Sequence, residues 1–260
     1  MSSPVRLVQF TDPHLFGTPS GELRGVNTYQ SLLATLDHAR RSHWPVDAVL
    51  VTGDLVQDDA SGYPVFHQIF SSLQRPVYCI PGNHDDGAAM AQALADPPFQ
   101  IGGHADLGAW RIVLLDSCIP GSARGRLNEQ SLDSLASALA SAAGAHVLVC
   151  LHHHPVAMNS RWLDTVGLEN ARDFWRIIDG CDAVRAVLWG HVHQSFEGKR
   201  GKVRLLATPS TCSQFVPHAA DFEIDALPPA YRTLTLSEDG SLATEVVWVR
   251  RAGNRIPSAA

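Results

Sequence analysis

The sequence predicts an α/β protein in which a sheet flanked by helices packs against a second, more antiparallel sheet. Through about the first 200 residues, short strand-like runs alternate with amphipathic stretches of helical period. The last third instead has strand-like runs without helices between them, and Glu238-Asp239-Gly240 is typical of a hairpin turn. These two patterns favour a βαβ-rich first part and a β-rich end.

The predicted strands of the first part are short apolar runs bounded by Gly, Pro or Asp. They cover residues 5–10, 48–51, 77–80, 111–115, 147–151 and 186–189. The predicted strands of the last third cover residues 203–208, 231–236 and 242–249.

Two stretches have the spacing of amphipathic helices. Residues 31–41 place three leucines on one side, and residues 129–142 carry leucines at i, i+3 and i+7. Asn128 precedes the second stretch and is a suitable N-cap. We therefore expect helices to cover the outer faces of the sheet.

Composition is that of an ordinary globular enzyme. The 260 residues are 45% hydrophobic and 18% charged, and we expect them to form a single domain with a frayed tail at residues 252–260. The net charge of −6 disfavours binding to nucleic acid through bulk electrostatics. It allows an anionic small substrate, because bound cations can reverse the local field.

Cysteine usage and hydropathy predict a reduced, cytoplasmic protein without a membrane partner. The five cysteines are scattered without a CxxC spacing, and Cys79 and Cys150 lie in apolar runs, where we expect buried free thiols. The first residues lack the pattern of a signal peptide, and no apolar run approaches the roughly 20 residues of a membrane span.

Five motifs with metal-ligand residue types each follow a strand-like run. In chain order they are Asp12-Pro13-His14, Gly53-Asp54, Gly82-Asn83-His84-Asp85, His152-His153-His154 and Gly190-His191-Val192-His193. Sites in α/β proteins form in the loops beyond the carboxyl ends of strands. Five such endings therefore indicate one polynuclear metal site.

The ligand types favour two metal ions. The seven candidate ligands are Asp12, His14, Asp54, Asn83, His152, His191 and His193. Seven exceeds the four of a tetrahedral zinc site, and cysteine is absent from the set. Two first-row cations about 3.5–4 Å apart, bridged by a carboxylate and a water, suit this mixture of N and O ligands. Iron, manganese, zinc and cobalt are all compatible with it.

Each motif taken alone has an interpretation without metal. Asp12-Pro13 can start a turn, Gly53-Asp54 is a common loop dipeptide, and Asn83 can begin a helix. The run at residues 152–154 can be solvated histidines. Their occurrence together, each after a strand, favours the metal site.

As a set, these motifs resemble the calcineurin-like metallophosphoesterase superfamily. The resemblance implies two mixed β-sheets packed as a sandwich and flanked by helices, in four layers. It implies that Asp12, His14 and His193 hold the first metal ion and that Asn83, His152 and His191 hold the second. Asp54 would bridge the two ions.

The resemblance assigns catalysis to His84 and Asp85. His84 would contact the phosphate and protonate the leaving oxygen, and Asp85 would orient the His84 ring. The residues expected to contact substrate are Asp12, His14, Asp54, Asn83, His84, His152 and His193. We expect His153 and His154 to support the ligands or to lie at the surface.

Further stretches resemble bacterial class III 3′,5′-cyclic nucleotide phosphodiesterases, above all those acting on cyclic AMP. These stretches cover residues 23–28, 151–155, 162–170, 205–218 and 230–235. The resemblance implies hydrolysis of cyclic AMP to 5′-AMP by a bridging hydroxide at two metal ions, which would lower cellular cyclic AMP. Iron and manganese are the expected metals, and a homodimer is typical of such enzymes.

Two other functions remain open from the sequence. One is a phosphodiesterase of broader specificity that accepts 2′,3′-cyclic nucleotides or other phosphodiesters. The other is a nucleotide- or metal-binding regulator without catalysis, against which the complete ligand set and His84 count.

Base recognition is not visible in the sequence. Trp162 and Phe215 either line a base pocket or pack in the core. Arg124 and Arg126 lie in a Gly/Ser loop, where we expect solvated side chains rather than phosphate ligands.

Overall fold

The computed structural model describes residues 3–142 and 144–249 of the chain. The predicted frayed tail at residues 252–260 lies outside the described residues.

Five α-helices are present among the described residues. They are α1 (Thr28–His43), α2 (Gly62–Ser71), α3 (Gly87–Ala93), α4 (Glu129–Ala140) and α5 (Ala171–Asp179). Asn128 caps α4 as predicted, because its side chain accepts a hydrogen bond from the backbone N–H of Ser131 at 2.8 Å.

The strands are numbered in chain order. The first eight are β1 (Val5–Phe10), β2 (Glu22–Leu23), β3 (Val26–Asn27), β4 (Ala48–Thr52), β5 (Val77–Ile80), β6 (Phe99–Ile101), β7 (Gly103–Leu107) and β8 (Trp110–Leu114). The others are β9 (His146–Leu151), β10 (Val184–Trp189), β11 (Phe196–Arg200), β12 (Val203–Ala207), β13 (Gln214–Phe215), β14 (Ile224–Asp225), β15 (Ala230–Leu236) and β16 (Leu242–Trp248).

Two six-stranded mixed sheets form the centre of the molecule. The first has the order β16-β15-β1-β4-β5-β6, in which β1, β4, β5 and β6 are parallel neighbours. The second has the order β11-β12-β10-β9-β8-β7, in which β12, β10, β9 and β8 are parallel neighbours. Antiparallel strands complete one edge of the first sheet, at β15 and β16, and both edges of the second, at β11 and β7.

The sheets pack face to face between two layers of helices, as the four-layer prediction required. Leu50 of the first sheet and Trp110 and Leu188 of the second belong to the apolar core between the sheets. Two further cores lie under the helices, one with α1 and α2 on the first sheet and one with α4 and α5 on the second. Every central strand therefore buries both faces.

The expectation that the last third forms its own antiparallel sheet was wrong. β12 pairs in parallel with β10 in the second sheet, while β15 and β16 extend the first sheet. Strands in sequence order therefore divide between two sheets, because each edge of a parallel sheet offers unpaired backbone groups that a later strand can satisfy. The predicted hairpin at residues 238–240 does join β15 to β16.

The described cysteines are free, and Cys79 and Cys150 are buried in β5 and β9 as predicted. In the described part of the chain, no helix has both the length and the apolar character to cross a membrane.

Candidate metal centre

The candidate ligands follow the carboxyl ends of five parallel strands. Asp12 and His14 follow β1, Asp54 follows β4, and Asn83 follows β5. In the second sheet His152 follows β9, and His191 and His193 follow β10. Because the two sheets face each other, the loops of both meet at one end of the sandwich, and the structure brings all seven side chains into one cluster.

Asp12, His14 and His193 form the first half of this cluster. The Nε2 atoms of His14 and His193 lie 3.2 Å apart, and Nε2 of His193 lies 3.4 Å from Oδ1 of Asp12. One ligand atom from each of the three residues lies within 4.8 Å of the others. This spacing allows one cation to contact all three.

Asp54, His152 and His191 form the second half, with Asn83 beside them. Oδ2 of Asp54 lies 3.4 Å from Nε2 of His152 and 3.8 Å from Nε2 of His14. The side-chain oxygen of Asn83 lies 3.3 Å from Nε2 of His152. Asp54 therefore lies between the two halves, where a bridging carboxylate belongs.

Backbone carbonyls orient three of the histidine rings. Nδ1 of His152 donates to the carbonyl of Thr52 at 2.8 Å, and Nδ1 of His193 donates to Ser213 at 2.6 Å, which leaves Nε2 of both rings facing the cluster. His191 is turned the other way, because its Nε2 donates to the carbonyl of Val166 at 3.1 Å. Such hydrogen bonds fix the tautomer of a metal-binding imidazole.

The backbone at the cluster adopts conformations that side chains other than glycine rarely take. Five of the seven candidate ligands have positive φ, namely Asp12, His14, Asp54, His191 and His193. Strain of this kind is kept where the surrounding structure enforces it and is typical of functional sites.

Two motif glycines allow the loops to approach closely. A Cβ atom at Gly82 would clash with the carboxylate of Asp54, and one at Gly190 would clash with the hydroxyl of Thr11 and lie 2.8 Å from Oδ2 of Asp12. Glycine is required at both positions because each loop packs directly against a candidate ligand.

The electrostatics of the cluster favour bound cations. Burial alone would raise the pKa of Asp12 and Asp54, but the charges of His193 and His152 outweigh it and lower both pKa values. Burial opposes protonation of His152 as well, yet Asp54 raises its pKa to about 9. Burial lowers the pKa of His14 to about 3, which keeps that ring neutral.

The buried residues therefore fit divalent metal ions. Asp12 and Asp54 are buried with lowered pKa values, and a cation bound at His152 would displace any proton from that ring. Nδ1 of His14 is also buried and has no hydrogen-bond partner among the described residues. Carboxylate, amide and imidazole donors are the mixture that first-row divalent ions prefer.

His84 lies beside the cluster on the predicted loop. Its backbone N–H donates to Oδ1 of Asp54 at 2.9 Å, and its ring centroid lies 5.3 Å from that of His14. Its Nδ1 lies 3.0 Å from the carboxylate of Asp58, which in turn accepts a hydrogen bond from the side chain of Gln57. The ring of His84 is thus oriented by a carboxylate, and its Nε2 makes no hydrogen bond with any residue that the structure describes.

The expectation that Asp85 orients the His84 ring was wrong. The Asp85 carboxylate accepts hydrogen bonds from the backbone N–H groups of Gly82, Leu55 and Val56 and from the hydroxyl of Tyr63. Burial and the charge of Asp54 raise the pKa of Asp85 to about 7. Asp85 ties the two loops together, because its side chain is directed at the loop after β4 rather than at its neighbour in the sequence.

Asp58 was missed by the sequence analysis. Its only signal is a position four residues after Asp54 in a polar loop, and an adjacent carboxylate, Asp59, has the same appearance in sequence. Asp59 instead accepts hydrogen bonds from the backbone N–H groups of Gly17 and Ser61. Only the folded loop distinguishes the two.

His153 and His154 are buried, which excludes the surface alternative. Nδ1 of His153 lies 2.8 Å from the hydroxyl of Ser117, and the rings of His153 and His154 lie 4.7 and 5.6 Å from that of His191. Both rings therefore pack against His191, which is a candidate ligand. Arg124 and Arg126 are exposed, as expected.

A two-sheet α/β sandwich with such a cluster at the carboxyl ends of its strands defines a class, the dimetal phosphoester hydrolases. A dimetal phosphatase from Danio rerio has the same fold, with a TM-score of 0.66 and 12% identity over 96% of this chain and 100% of that one. The family model for calcineurin-like phosphoesterases matches residues 5–195. The chain belongs to the calcineurin-like phosphoesterase family.

Relatives in two bacteria share much of the sequence. The 3′,5′-cyclic adenosine monophosphate phosphodiesterase CpdA of Pseudomonas aeruginosa is 41% identical over 245 residues, which cover 93% of this chain and 89% of that protein. CpdA of Haemophilus influenzae is 39% identical over 250 residues, or 95% and 91% of the two chains. The family and the cluster together support two divalent metal ions.

Proposed function

We propose that the protein is a metal-dependent phosphodiesterase that hydrolyses 3′,5′-cyclic AMP to 5′-AMP. The observation that carries the proposal is the buried cluster, in which one group of candidate ligands lies on each side of Asp54. His84 lies at the edge of this cluster. The substrate is inferred from the similarity to CpdA over more than nine tenths of the chain.

The division of the ligands is part of the proposal. Asp12, His14 and His193 would hold one ion, and Asn83, His152 and His191 would hold the other, with Asp54 bridging them. The distances support this division because each set converges on one side of Asp54.

We propose iron and manganese as the native ions. Cytoplasmic location and a homodimer stay predictions.

The residues of the chain then act on the bound diester. Two metal ions held by these ligands would supply hydroxide at neutral pH and would neutralise charge on the phosphoryl oxygens. The P–O3′ bond would break as the new P–O bond forms, and we propose that His84 gives the departing O3′ its proton. Asp58 holds the ring of His84 in the orientation that this transfer needs.

Substitution of one ligand tests the proposal. We expect His191→Ala to lower kcat on cyclic AMP by more than the roughly 10–100-fold that loss of a supporting hydrogen bond costs. Formation of 5′-AMP and metal content are measured on the same sample. The matched control is His104→Ala, which removes an exposed histidine of β7. Chelation of the wild type should abolish turnover, and added Mn²⁺ should restore it.

A substrate panel separates this function from its alternatives. We expect kcat/KM to be higher for 3′,5′-cyclic AMP than for 2′,3′-cyclic AMP or bis(4-nitrophenyl) phosphate. Equal values would favour a broad phosphodiesterase. Tight binding of cyclic AMP without 5′-AMP formation in Mn²⁺ would favour a binding protein, and full activity of metal-free protein would contradict the metal mechanism.

A further inference from the structure

A cleft with aromatic walls opens directly from the metal centre. Its volume is 190 Å³, and its inner end is lined by side chains of the metal cluster and by His84. Its outer part is lined by Arg24, Trp162, Phe215 and Phe222. One molecule can therefore place a phosphate at the inner end and another of its groups in the outer part.

The three aromatic rings form a connected wall. Their centroids lie 5.1 to 5.3 Å apart, with interplanar angles of 70° to 81°. Phe215 also stacks on the ring of His193, with centroids 4.1 Å apart and planes within 8°. The wall is thus fixed in position relative to a candidate metal ligand.

Phe222 presents its ring to solvent at the rim of this wall. Its side chain is 46% exposed, and Ile224 is the only other large apolar side chain of the described residues that is comparably exposed. Phe222 does not stand alone, because it continues the apolar wall of Trp162 and Phe215, and a contiguous apolar surface at a cleft is typical of a ligand-binding site.

Arg24 lies across these rings. It occupies the tip of the β2–β3 hairpin, where Arg24 and Gly25 both have positive φ as in a two-residue type I′ turn. Its guanidinium carbon lies 4.8 Å from the ring centroid of Phe222 and 5.2 Å from that of Phe215. Arg24 makes no hydrogen bond or ion pair with any residue that the structure describes, so its donors are free for a ligand.

A second cleft on the other side of His84 has the opposite chemistry. Its volume is 630 Å³, and its lining includes the carboxylates of Asp58, Asp59, Asp86 and Asp116. Those charges repel an anionic nucleotide, whereas the aromatic cleft combines π-faces with a cation.

We propose that the cleft formed by Arg24, Trp162, Phe215 and Phe222 binds the nucleobase of the substrate. The base lies on the face of the Phe222 ring that is open to solvent, and Arg24 lies at the edge of the base, where its guanidinium donates a hydrogen bond to a ring nitrogen. This inference rests on the proposed function, because it places the phosphate of the same nucleotide at the metal centre. Sequence alone did not identify Arg24 or Phe222; the Arg-Gly pair between Leu23 and Val26 was the available signal.

Binding of product and of its base-free counterpart tests the assignment. The dissociation constants of 5′-AMP and ribose 5-phosphate are measured by calorimetry on the Mn²⁺-loaded protein. We expect Phe222→Ala to weaken 5′-AMP about tenfold, in the range of base–aromatic stacking, and to leave ribose 5-phosphate unchanged. Arg24→Ala should act in the same direction, and Phe222→Trp should retain wild-type affinity.

Two control variants make the result specific. Ile224→Ala removes the other exposed apolar side chain of the segment and should change neither constant. Ile119→Ala alters the acidic cleft and should also change neither. Loss of 5′-AMP affinity in Ile119→Ala instead of Phe222→Ala would place the base in the acidic cleft and overturn the assignment.

The test separates this inference from the proposed function. Unchanged 5′-AMP affinity in Phe222→Ala, or equal weakening of both ligands, would overturn the cleft assignment. Failure of the metal-loaded wild type to convert cyclic AMP would instead overturn the proposed function, whatever the dissociation constants.

Discussion

Two carboxylates near His84 have different tasks, although either could orient its ring on sequence grounds. Asp58 contacts Nδ1 of His84, while Asp85 accepts hydrogen bonds from backbone groups of two loops. A carboxylate on one ring nitrogen fixes the tautomer and raises the basicity of the other. At the scale of the residue, the orientation of the His84 ring therefore depends on Asp58.

Replacement of Asp58 should impair catalysis while metal binding is preserved. We expect Asp58→Asn to lower kcat on cyclic AMP about 10–100-fold, with a smaller change in KM, because the His84 ring loses its orienting charge. Steady-state kinetics and metal analysis measure the effect, and Asp58→Glu should recover part of it. Asp59→Asn is the matched control, since Asp59 contacts backbone N–H groups away from His84. Equal activity of Asp58→Asn and wild type would contradict this role.

At the scale of the element, the parallel strands deliver their ligands through tight loops. The motif glycines let the loops after β4, β5 and β10 pack against one another without Cβ atoms. The positive φ values at five candidate ligands show that these loops keep strained conformations. The positions of the candidate ligands thus depend also on the motif glycines, which are not ligands themselves.

A methyl group at Gly190 should disturb the metal centre. We expect Gly190→Ala to reduce the bound metal below two ions per chain and kcat by at least about tenfold, because the new Cβ displaces Asp12 or Thr11. Elemental analysis and kinetics measure this, and circular dichroism checks the fold.

Gly180→Ala is the matched control for Gly190→Ala. A Cβ at Gly180, which ends α5, would have its nearest neighbour at 3.5 Å, an ordinary contact. Two bound ions and normal turnover in Gly190→Ala would show that the close packing is not required.

At the scale of the whole molecule, the metal centre joins the two sheets. Asp12, Asp54 and Asn83 come from loops of the first sheet, and His152, His191 and His193 come from loops of the second. The strands that precede these loops contribute residues both to the core between the sheets and to the cores under the helices. This supports our proposal that the chain forms one domain.

Metal binding should stabilise the whole fold. Each ion that binds only the folded state at about 100 times its dissociation constant adds roughly 2.7 kcal/mol, so two ions add about 5.4 kcal/mol, which corresponds to a rise in Tm of about 10–20 °C at this size. We expect calorimetry to show a single transition that rises by this amount when Mn²⁺ is added to chelated protein. Asp54→Asn, which lacks the central charge, should show a smaller rise. Identical Tm values with and without Mn²⁺ would contradict metal binding at the cluster.

The strands, the cluster of candidate ligands and the chemical types of those ligands follow from the sequence. All nine predicted strands and the N-cap at Asn128 agree with the structure within two residues at each end. The strand predictions agree with the structure because the spacing of apolar residues, the turn residues and the polar residues at strand ends are local properties of the chain.

Long-range packing decides which strand joins which sheet and which side chains lie at the candidate site. The last three predicted strands divide between two sheets, because edge pairing depends on backbone groups distant in sequence. Asp58 rather than Asp85 contacts His84, and Arg24 lies against Phe222 across nearly 200 residues of chain. Such contacts are set by the packing of loops from both sheets, which no local pattern in the sequence encodes.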